Sequence, residues 1–259
     1  MGRHKIGFFL VNEESEVKMS DKVFMVHLPK SAGIYISKMY GRGKNKNYLG
    51  SAHCFHIDGV SVKEHGVRRP FVAYTNKFKT ENPGSIYSQI MRQNPTKFTV
   101  LRNPFDVLVS YYYSSSFGRS QDGWHGCRAW GKYKDFEDFI LRYCDPEEKW
   151  NVAPLKENLY SQLVNDEGDV CVDYILRYER LENGLQFLEG EFNLERNTDI
   201  DERKSNWNTI CSTSRNKTPD REKDYRIYYT DRMRELFEKK CVFELGVGNY
   251  NFDGFKGPE

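Results

Sequence analysis

A lysine and an arginine, each placed directly after a short apolar run, are the residues of this sequence best suited to bind an anion. Lys30 follows the apolar run 22–28, and Arg102 follows the apolar run 97–101. Both side chains make charge-assisted hydrogen bonds to phosphate oxygens. Each residue also has an ordinary alternative: Lys30 could be a surface lysine, and Arg102 could only cap a helix. The neighbouring residues in the sequence indicate which role applies.

The first of the two turns has the composition of a phosphate-binding loop. Residues 29–33 (PKSAG) connect a predicted strand at 22–28 to a predicted helix at 34–40. Small residues let backbone N–H groups approach an anion, and the helix N-terminus adds about half a positive charge. Because Lys30 precedes the glycine, the turn differs from the nucleoside-triphosphatase pattern G-x-x-x-x-G-K-[ST].

The second turn places an arginine and a serine around the start of a helix. Arg102 ends the strand predicted at 97–101, Asn103 is a good N-cap, and Pro104 suits the first helical position. Ser110 follows two turns into that helix. An arginine fork binds a phosphate at two points, and a serine hydroxyl adds a third bond.

Together the two turns resemble the donor-binding motifs of the sulfotransferase superfamily. Residues 26–33 (VHLPKSAG) are similar to the carbohydrate-type 5′-phosphosulfate loop, H-x-P-K-[TS]-A-G-T-S. Residues 102–112 (RNPFDVLVSYY) resemble the 3′-phosphate motif, R-[DN]-P-x-[DE]-x-x-x-S-x-Y. Weaker matches at 176–181 and 224–230 extend the resemblance to about residues 22 to 250.

The resemblance implies 3′-phosphoadenosine-5′-phosphosulfate (PAPS) as co-substrate and 3′-phosphoadenosine-5′-phosphate (PAP) as product, without a metal ion. It implies that Lys30 contacts the bridging oxygen and the transferring sulfuryl group, and that Arg102 and Ser110 bind the 3′-phosphate. The backbone amides expected at the 5′-phosphate belong to Ser31, Ala32, Gly33, Ile34 and Tyr35. Ile34 and Tyr35 stand where the family usually has Thr-Ser.

A basic loop of the family closes over the 3′-phosphate before the last helices. Arg215 and Lys217 are the corresponding candidates here, with a solvated loop as the alternative.

A hydroxyl acceptor is helped by a general base, and histidine is the usual choice near neutral pH. Related enzymes often carry the base after the first helix, where this chain has His53 and His56. His27 lies on the strand before the first turn, where alternation favours burial. A histidine that only bonds the backbone, or an Asp or Glu base, remains possible.

Composition excludes several other classes. The net charge of +2 lacks the basic excess of a general nucleic-acid binder, so we expect no nucleic-acid partner. The six cysteines form no C-x-x-C pair, so zinc-ligand spacing is absent and no metal is expected. An apolar run of about 20 residues is also absent, so we expect no membrane span and a cytoplasmic protein.

Strands alternate with helices along the chain, which predicts an α/β fold with a mainly parallel central sheet flanked by helices, a P-loop-like sulfotransferase fold. We expect one sulfotransferase domain over 1–259 with a core of about 22–250. The predicted strands are 22–28, 71–74, 97–101 and 173–178. The predicted helices are 34–40, 85–93, the segment from 104, 136–143, 181–192 and 221–245, the last with a break at Thr230. The predicted loops are 117–131 and 197–220.

The function expected from these motifs is transfer of a sulfuryl group from PAPS to a hydroxyl, or an amine, of a small molecule or sugar. A P-loop kinase-like phosphotransferase is one rival, but it needs a Ser or Thr after Gly-Lys. A non-catalytic nucleotide-binding module on the same scaffold is the other. The aromatic residues at 111–113, Trp124, His125 and Trp130 either line an acceptor pocket or pack in the core. The sequence leaves the acceptor and the oligomeric state open.

Overall fold

The computed structural model describes about half of the chain and divides it into two compact units. The first unit comprises Met1–Leu101, Tyr160–Ile200 and Pro258–Glu259, and the second comprises Arg102–Leu159 and Asp201–Gly257. The prediction of a single domain over the whole chain stays a prediction. The described residues are 9–10, 20–28, 30–41, 45–53, 56–57, 60–61, 90, 92–113, 133–147, 159–160, 163, 170, 172–197 and 221–257.

The described residues form nine strands and six α-helices. The strands are β1 (Phe9–Leu10), β2 (Val23–His27), β3 (Tyr48–His53), β4 (His56–Ile57), β5 (Val60–Ser61), β6 (Thr96–Leu101), β7 (Tyr174–Arg177), β8 (Tyr250–Asn251) and β9 (Gly254–Phe255). The α-helices are α1 (Gly33–Tyr40), α2 (Pro104–Tyr112), α3 (Phe136–Cys144), α4 (Leu181–Phe192), α5 (Asp231–Lys240) and α6 (Val242–Gly248). Short 3₁₀ helices cover Tyr178–Arg180 and Tyr225–Tyr228.

The first unit is built on a five-stranded sheet of order β1-β7-β6-β2-β3. Four strands run parallel, and only β1 pairs antiparallel, with β7. Every residue of β2 and of β7 is buried, as expected for parallel strands covered on both faces. Helix α1 packs against β3, and α4 packs against β7. The predicted α/β class with a mainly parallel sheet is confirmed.

The strand order reverses between β2 and β6. From β2 the chain passes through α1 to β3 on one side, whereas β6 and β7 lie on the other side of β2. In open parallel sheets, ligands bind beyond the carboxyl ends of the strands at such a switch point. The residues that follow β2 and β6 are therefore the first place to look for a site.

The described part of the second unit consists of α2, α3, α5 and α6 with the β8–β9 hairpin. Phe105, in the first turn of α2, is fully buried among aromatic rings. The ring centroids of its neighbours lie 4.3 to 6.5 Å away. These neighbours are Tyr225, Tyr229, Phe237 and Phe252. This aromatic cluster fixes the start of α2.

Most predicted elements within the described residues are confirmed, and three expectations need correction. Residues 221–224 are not helical, because Asp224 and then Thr230 each begin a new element by accepting a backbone N–H. Tyr178, predicted as the end of a strand, begins a 3₁₀ helix. The sequence did not predict strand β3 or the two-residue strands β1, β4, β5, β8 and β9. The strand predicted at 71–74, the loop predicted at 117–131 and most of the segments 85–93 and 197–220 lie outside the described residues.

Among the helices that the structure describes, none is both long enough and apolar enough to cross a membrane.

Candidate functional site

The turn after β2 has an unusual backbone for its sequence. Lys30 and Ala32 both have φ of 64°, in the left-handed region that non-glycine residues rarely adopt. Each such residue costs roughly 1–2 kcal/mol, and strain of this kind gathers at functional sites. Lys30 is half-buried, and Ser31 between them is fully buried.

Helix α1 begins without a side-chain cap. Ala32 occupies the N-cap position, and its side chain has no atom that could accept a hydrogen bond. The Ile36 N–H donates to the Ala32 carbonyl at 3.1 Å, so the N–H groups of residues 33 to 35 precede the first intrahelical bond of this helix. An anion bound at this end would meet backbone donors together with the positive end of the helix dipole.

A histidine packs behind this turn. His27 ends β2 and is buried, as its position on the strand led us to expect. A Cβ built on Gly33 would lie 1.9 to 2.2 Å from three atoms of the His27 ring. Only glycine therefore leaves room for the imidazole at the first residue of α1.

Ile34 and Tyr35, which replace the usual Thr-Ser pair, both lie in α1. The Tyr35 side chain is buried. The side chain of Ile34 lies outside the described part of the structure. Their backbone amides still belong to the first turn, which is the feature that phosphate binding needs.

The turn after β6 is built differently, because its helix is capped by side chains. Asn103 is the N-cap and accepts a hydrogen bond from the Phe105 N–H at 3.1 Å, and Pro104 occupies the first turn. The Asn103 amide also donates to the Tyr225 hydroxyl at 2.9 Å and to the Asn251 carbonyl at 2.8 Å. The predicted cap is confirmed, and it is tied to the C-terminal segment of the same unit.

Arg102 is held by an acidic residue one turn further on. Its Nε donates to Asp106 Oδ2 at 2.7 Å, and the two side chains are only 7% and 13% exposed. The other oxygen of Asp106 accepts a hydrogen bond from the Arg221 guanidinium. One carboxylate thus connects two arginines, a role of Asp106 and Arg221 that the sequence reasoning missed. The spacing of four between Arg102 and Asp106 was a signal for the first pair.

Ser110 lies on the same helix and is buried, with 8% exposure. It follows Asp106 by four residues, so both lie on one face of α2. Ser110 therefore lies one helical turn after the carboxylate that holds Arg102.

The start of α2 is anchored by a buried tyrosine as well. The Tyr229 hydroxyl donates to the Phe105 carbonyl at 2.9 Å. Burial raises the pKa of Tyr229 well above its usual range, so the phenol stays neutral and remains a donor.

The two candidate bases lie on different strands. His53 is the last residue of β3 and pairs in register with His27, so its backbone lies beside the carboxyl end of β2. His56 belongs to the short β4–β5 pair. The side chains of both lie outside the described residues, as do Arg215 and Lys217 altogether.

Of the three tyrosines after Ser110, Tyr111 and Tyr112 are buried and Tyr113 is half-buried. Tyr112 contacts Phe136 at 5.3 Å between ring centroids, and Tyr113 contacts Tyr228 at 5.1 Å. Both tyrosines therefore take part in aromatic packing. Trp124, His125 and Trp130 lie outside the described residues.

Within the described ranges, no group of three or more His, Cys, Asp or Glu side chains is arranged to hold a metal ion.

A family model and a solved structure match this chain. A family model described as "Sulfotransferase family" matches residues 14–243, which is well over half of the chain. A mouse sulfotransferase, SULT7A1, solved in complex with PAP, is 14% identical over 85% of this chain and 84% of its own, with a TM-score of 0.40. No curated protein matches.

Proposed function

We propose that this chain, which belongs to the sulfotransferase family and is a PAPS-dependent sulfotransferase, transfers the sulfuryl group to a hydroxyl of a small molecule or sugar. The observation that carries the proposal lies in the first unit, where the two strands that lead into the predicted donor-binding turns are neighbours. One turn follows β2 and the other follows β6, two adjacent parallel strands at the switch point of the sheet.

The first turn is proposed to hold the 5′ end of the donor. Its left-handed residues, Lys30 and Ala32, shape the backbone, and the uncapped start of α1 offers N–H groups to the 5′-phosphate. Lys30 carries the mobile charge of the turn. We assign it to the bridging oxygen and the transferring group, where negative charge develops as the leaving phosphate departs.

The second turn is proposed to hold the 3′-phosphate, which distinguishes PAPS from ordinary nucleotides. Arg102 supplies a guanidinium, and Ser110 supplies a hydroxyl from the same face of α2 as Asp106. Arg215 and Lys217 are proposed to close over this phosphate from the preceding loop.

The reaction is proposed to be an in-line displacement at sulfur. The acceptor oxygen forms a bond to sulfur while the bond between sulfur and the bridging oxygen of the 5′-phosphate breaks. The acceptor proton passes to a general base, and the leaving PAP carries the negative charge that Lys30 stabilises. Positioning and charge stabilisation supply most of the catalysis, as in phosphoryl transfer.

His53 is the base we favour, with His56 as its alternative. The backbone of His53 lies at the carboxyl end of β3, next to the strand that leads into the Lys30 turn. His53→Ala should lower the rate at which PAP is released from PAPS by about 100-fold. The rate is measured with a panel of candidate acceptors that contains phenols, alcohols and sugars. His56→Ala is the matched control, and a larger loss with it would exchange the two roles.

A cytoplasmic location stays a prediction from the sequence.

The donor site is tested by calorimetric titration of PAP, with AMP as the control ligand. We expect micromolar or tighter binding of PAP and much weaker binding of AMP. Arg102→Ala should remove most of that difference, whereas Arg142→Ala should leave it intact. Arg142 is a suitable control because it also pairs with an acidic residue four positions away, Asp138, but at the surface. Equal affinity for PAP and AMP in the wild-type protein would contradict the proposed site.

A further inference from the structure

We infer that Asp106 is a positioning residue that orients Arg102 for the 3′-phosphate. The inference rests on the proposed function of Arg102, and it adds a role that neither the motif nor the family match assigns. Asp106 does not itself touch the phosphate, since two negative groups would repel each other. It acts through the guanidinium that it holds.

The first support is the geometry of the carboxylate. Asp106 Oδ2 accepts from Arg102 Nε at 2.7 Å, and Oδ1 accepts from a terminal nitrogen of Arg221. Each oxygen thus holds a different guanidinium. Because Asp106 occupies the Nε side of Arg102, a phosphate must approach the guanidinium from another side, and the direction of that approach is set by Asp106.

The second support is burial. The side chains of Arg102, Asp106 and Arg221 are 7%, 13% and 20% exposed. Solvent and salt screen such a cluster less than a surface pair. The pair of Arg142 and Asp138 has the same spacing of four but is 41% and 28% exposed, so it lacks this shielding.

The third support is the rigidity of the helix start that carries Asp106. Asn103 caps the helix, and the Phe105 ring is buried among four other aromatic rings. The Tyr229 hydroxyl holds the Phe105 carbonyl. A carboxylate on so constrained a turn can fix the orientation of a long, flexible arginine, which otherwise samples many rotamers.

Charge alone predicts the opposite effect. Two guanidinium groups and one carboxylate leave the cluster with a single positive charge, so removal of the carboxylate would raise it to two. If the phosphate responded only to charge, loss of Asp106 would tighten its binding. If orientation matters more, loss of Asp106 weakens binding although the site becomes more positive. The sign of the change therefore separates the two explanations.

The test is calorimetric titration of PAP and AMP into Asp106→Asn, with Asp138→Asn as the matched control. Asparagine keeps the size of the side chain and removes its charge. We expect PAP to bind about 10-fold more weakly and AMP to bind unchanged, since a charge-assisted contact is lost only at the 3′-phosphate. Asp138→Asn should change neither affinity.

A second arm asks whether Asp106 acts through Arg102. In an Arg102→Ala background, Asp106→Asn should cause no further loss of PAP affinity. A further loss there would overturn the inference, as would tighter or unchanged PAP binding in Asp106→Asn alone.

An equal loss of PAP and AMP affinity in Asp106→Asn would also overturn it, because that result indicates a residue that only maintains the fold. Unchanged PAP binding in Arg102→Ala would instead refute the proposed 3′-phosphate role of Arg102. That result differs from those that refute the positioning role of Asp106, so the two failures can be distinguished.

Discussion

The two helices that follow neighbouring strands differ in how their N-termini are capped. Helix α1 begins at Gly33 after an N-cap, Ala32, that has no capping side chain. Helix α2 begins at Pro104 after Asn103, whose amide oxygen accepts the Phe105 N–H. The turn that leads into α1 has two residues with left-handed backbone, Lys30 and Ala32. The turn that leads into α2 follows ordinary capping rules.

This difference separates two modes of anion recognition. Because α1 has no side-chain cap, we propose that an anion at its start is bound chiefly by the backbone and the helix dipole. At α2 the Phe105 N–H already donates to the Asn103 side chain, and we propose that an anion there is bound by the side chains of Arg102 and Ser110. The first mode demands small residues and an exact backbone, and the second demands oriented side chains.

The largest effect expected at the first turn is on turnover rather than binding. Lys30→Ala should lower turnover by about 100- to 1,000-fold, because it removes charge stabilisation from the transition state. PAP affinity should change far less, since backbone groups carry most of the phosphate binding. Single-turnover rates and calorimetry measure the two quantities. Lys38→Ala, an exposed lysine of the same helix, is the control. Normal turnover in Lys30→Ala would contradict the proposed role of Lys30 in the transition state.

The backbone mode also predicts a tight steric limit at the first residue of α1. Gly33→Ala should lower the free energy of unfolding by about 1–3 kcal/mol, because the new Cβ collides with the His27 ring. Gly190→Ala in α4 is the control, since a Cβ there meets nothing within 4 Å. His27→Ala combined with Gly33→Ala should cost less than the sum of the single changes. Strict additivity in denaturant titrations would show that the ring and the glycine are not coupled.

At the second turn the cap itself should carry stability. Asn103→Ala removes the acceptor of the Phe105 N–H and two donated hydrogen bonds. We expect a loss of about 1–2 kcal/mol in the free energy of unfolding, measured by denaturant titration. A change below about 0.5 kcal/mol would mean that water replaces the cap at little cost.

The smallest effect should have the opposite sign and occurs at the cap of α1. Ala32→Gly relieves a left-handed alanine but adds freedom to the unfolded chain, so a net gain of about 0.5–1 kcal/mol is expected. Thermal or chemical denaturation measures it. A loss of stability would indicate that the alanine methyl group contributes packing that outweighs its backbone strain.

The sequence predicts local features of these turns far better than distant ones. Asn103, Pro104 and Asp106 follow capping rules that involve only neighbouring residues, and the structure confirms their positions. The left-handed backbone of Lys30 and Ala32 is different. Neither residue type favours positive φ, so that conformation depends on surroundings that the sequence does not display.

Long-range pairs and weakly patterned strands escaped prediction for related reasons. Arg221 forms an ion pair with Asp106, which is 115 positions away in the sequence. A local spacing pattern cannot predict such a pair. Strand β3 has the sequence YLGSAH, with no β-branched residue and a glycine at φ of 112°. Its strand conformation comes from pairing with β2 rather than from its own propensity.

The central claim is that the first turn binds the 5′ end of the nucleotide through its backbone and the second binds the 3′-phosphate through side chains. The most direct test is to titrate AMP, 3′-AMP and PAP into Gly33→Ala and Arg102→Ala, with each variant first shown to be folded. Gly33→Ala should weaken AMP and PAP but spare 3′-AMP. Arg102→Ala should weaken 3′-AMP and PAP but spare AMP. If both variants weaken all three ligands alike, the two turns do not divide the donor in the way described.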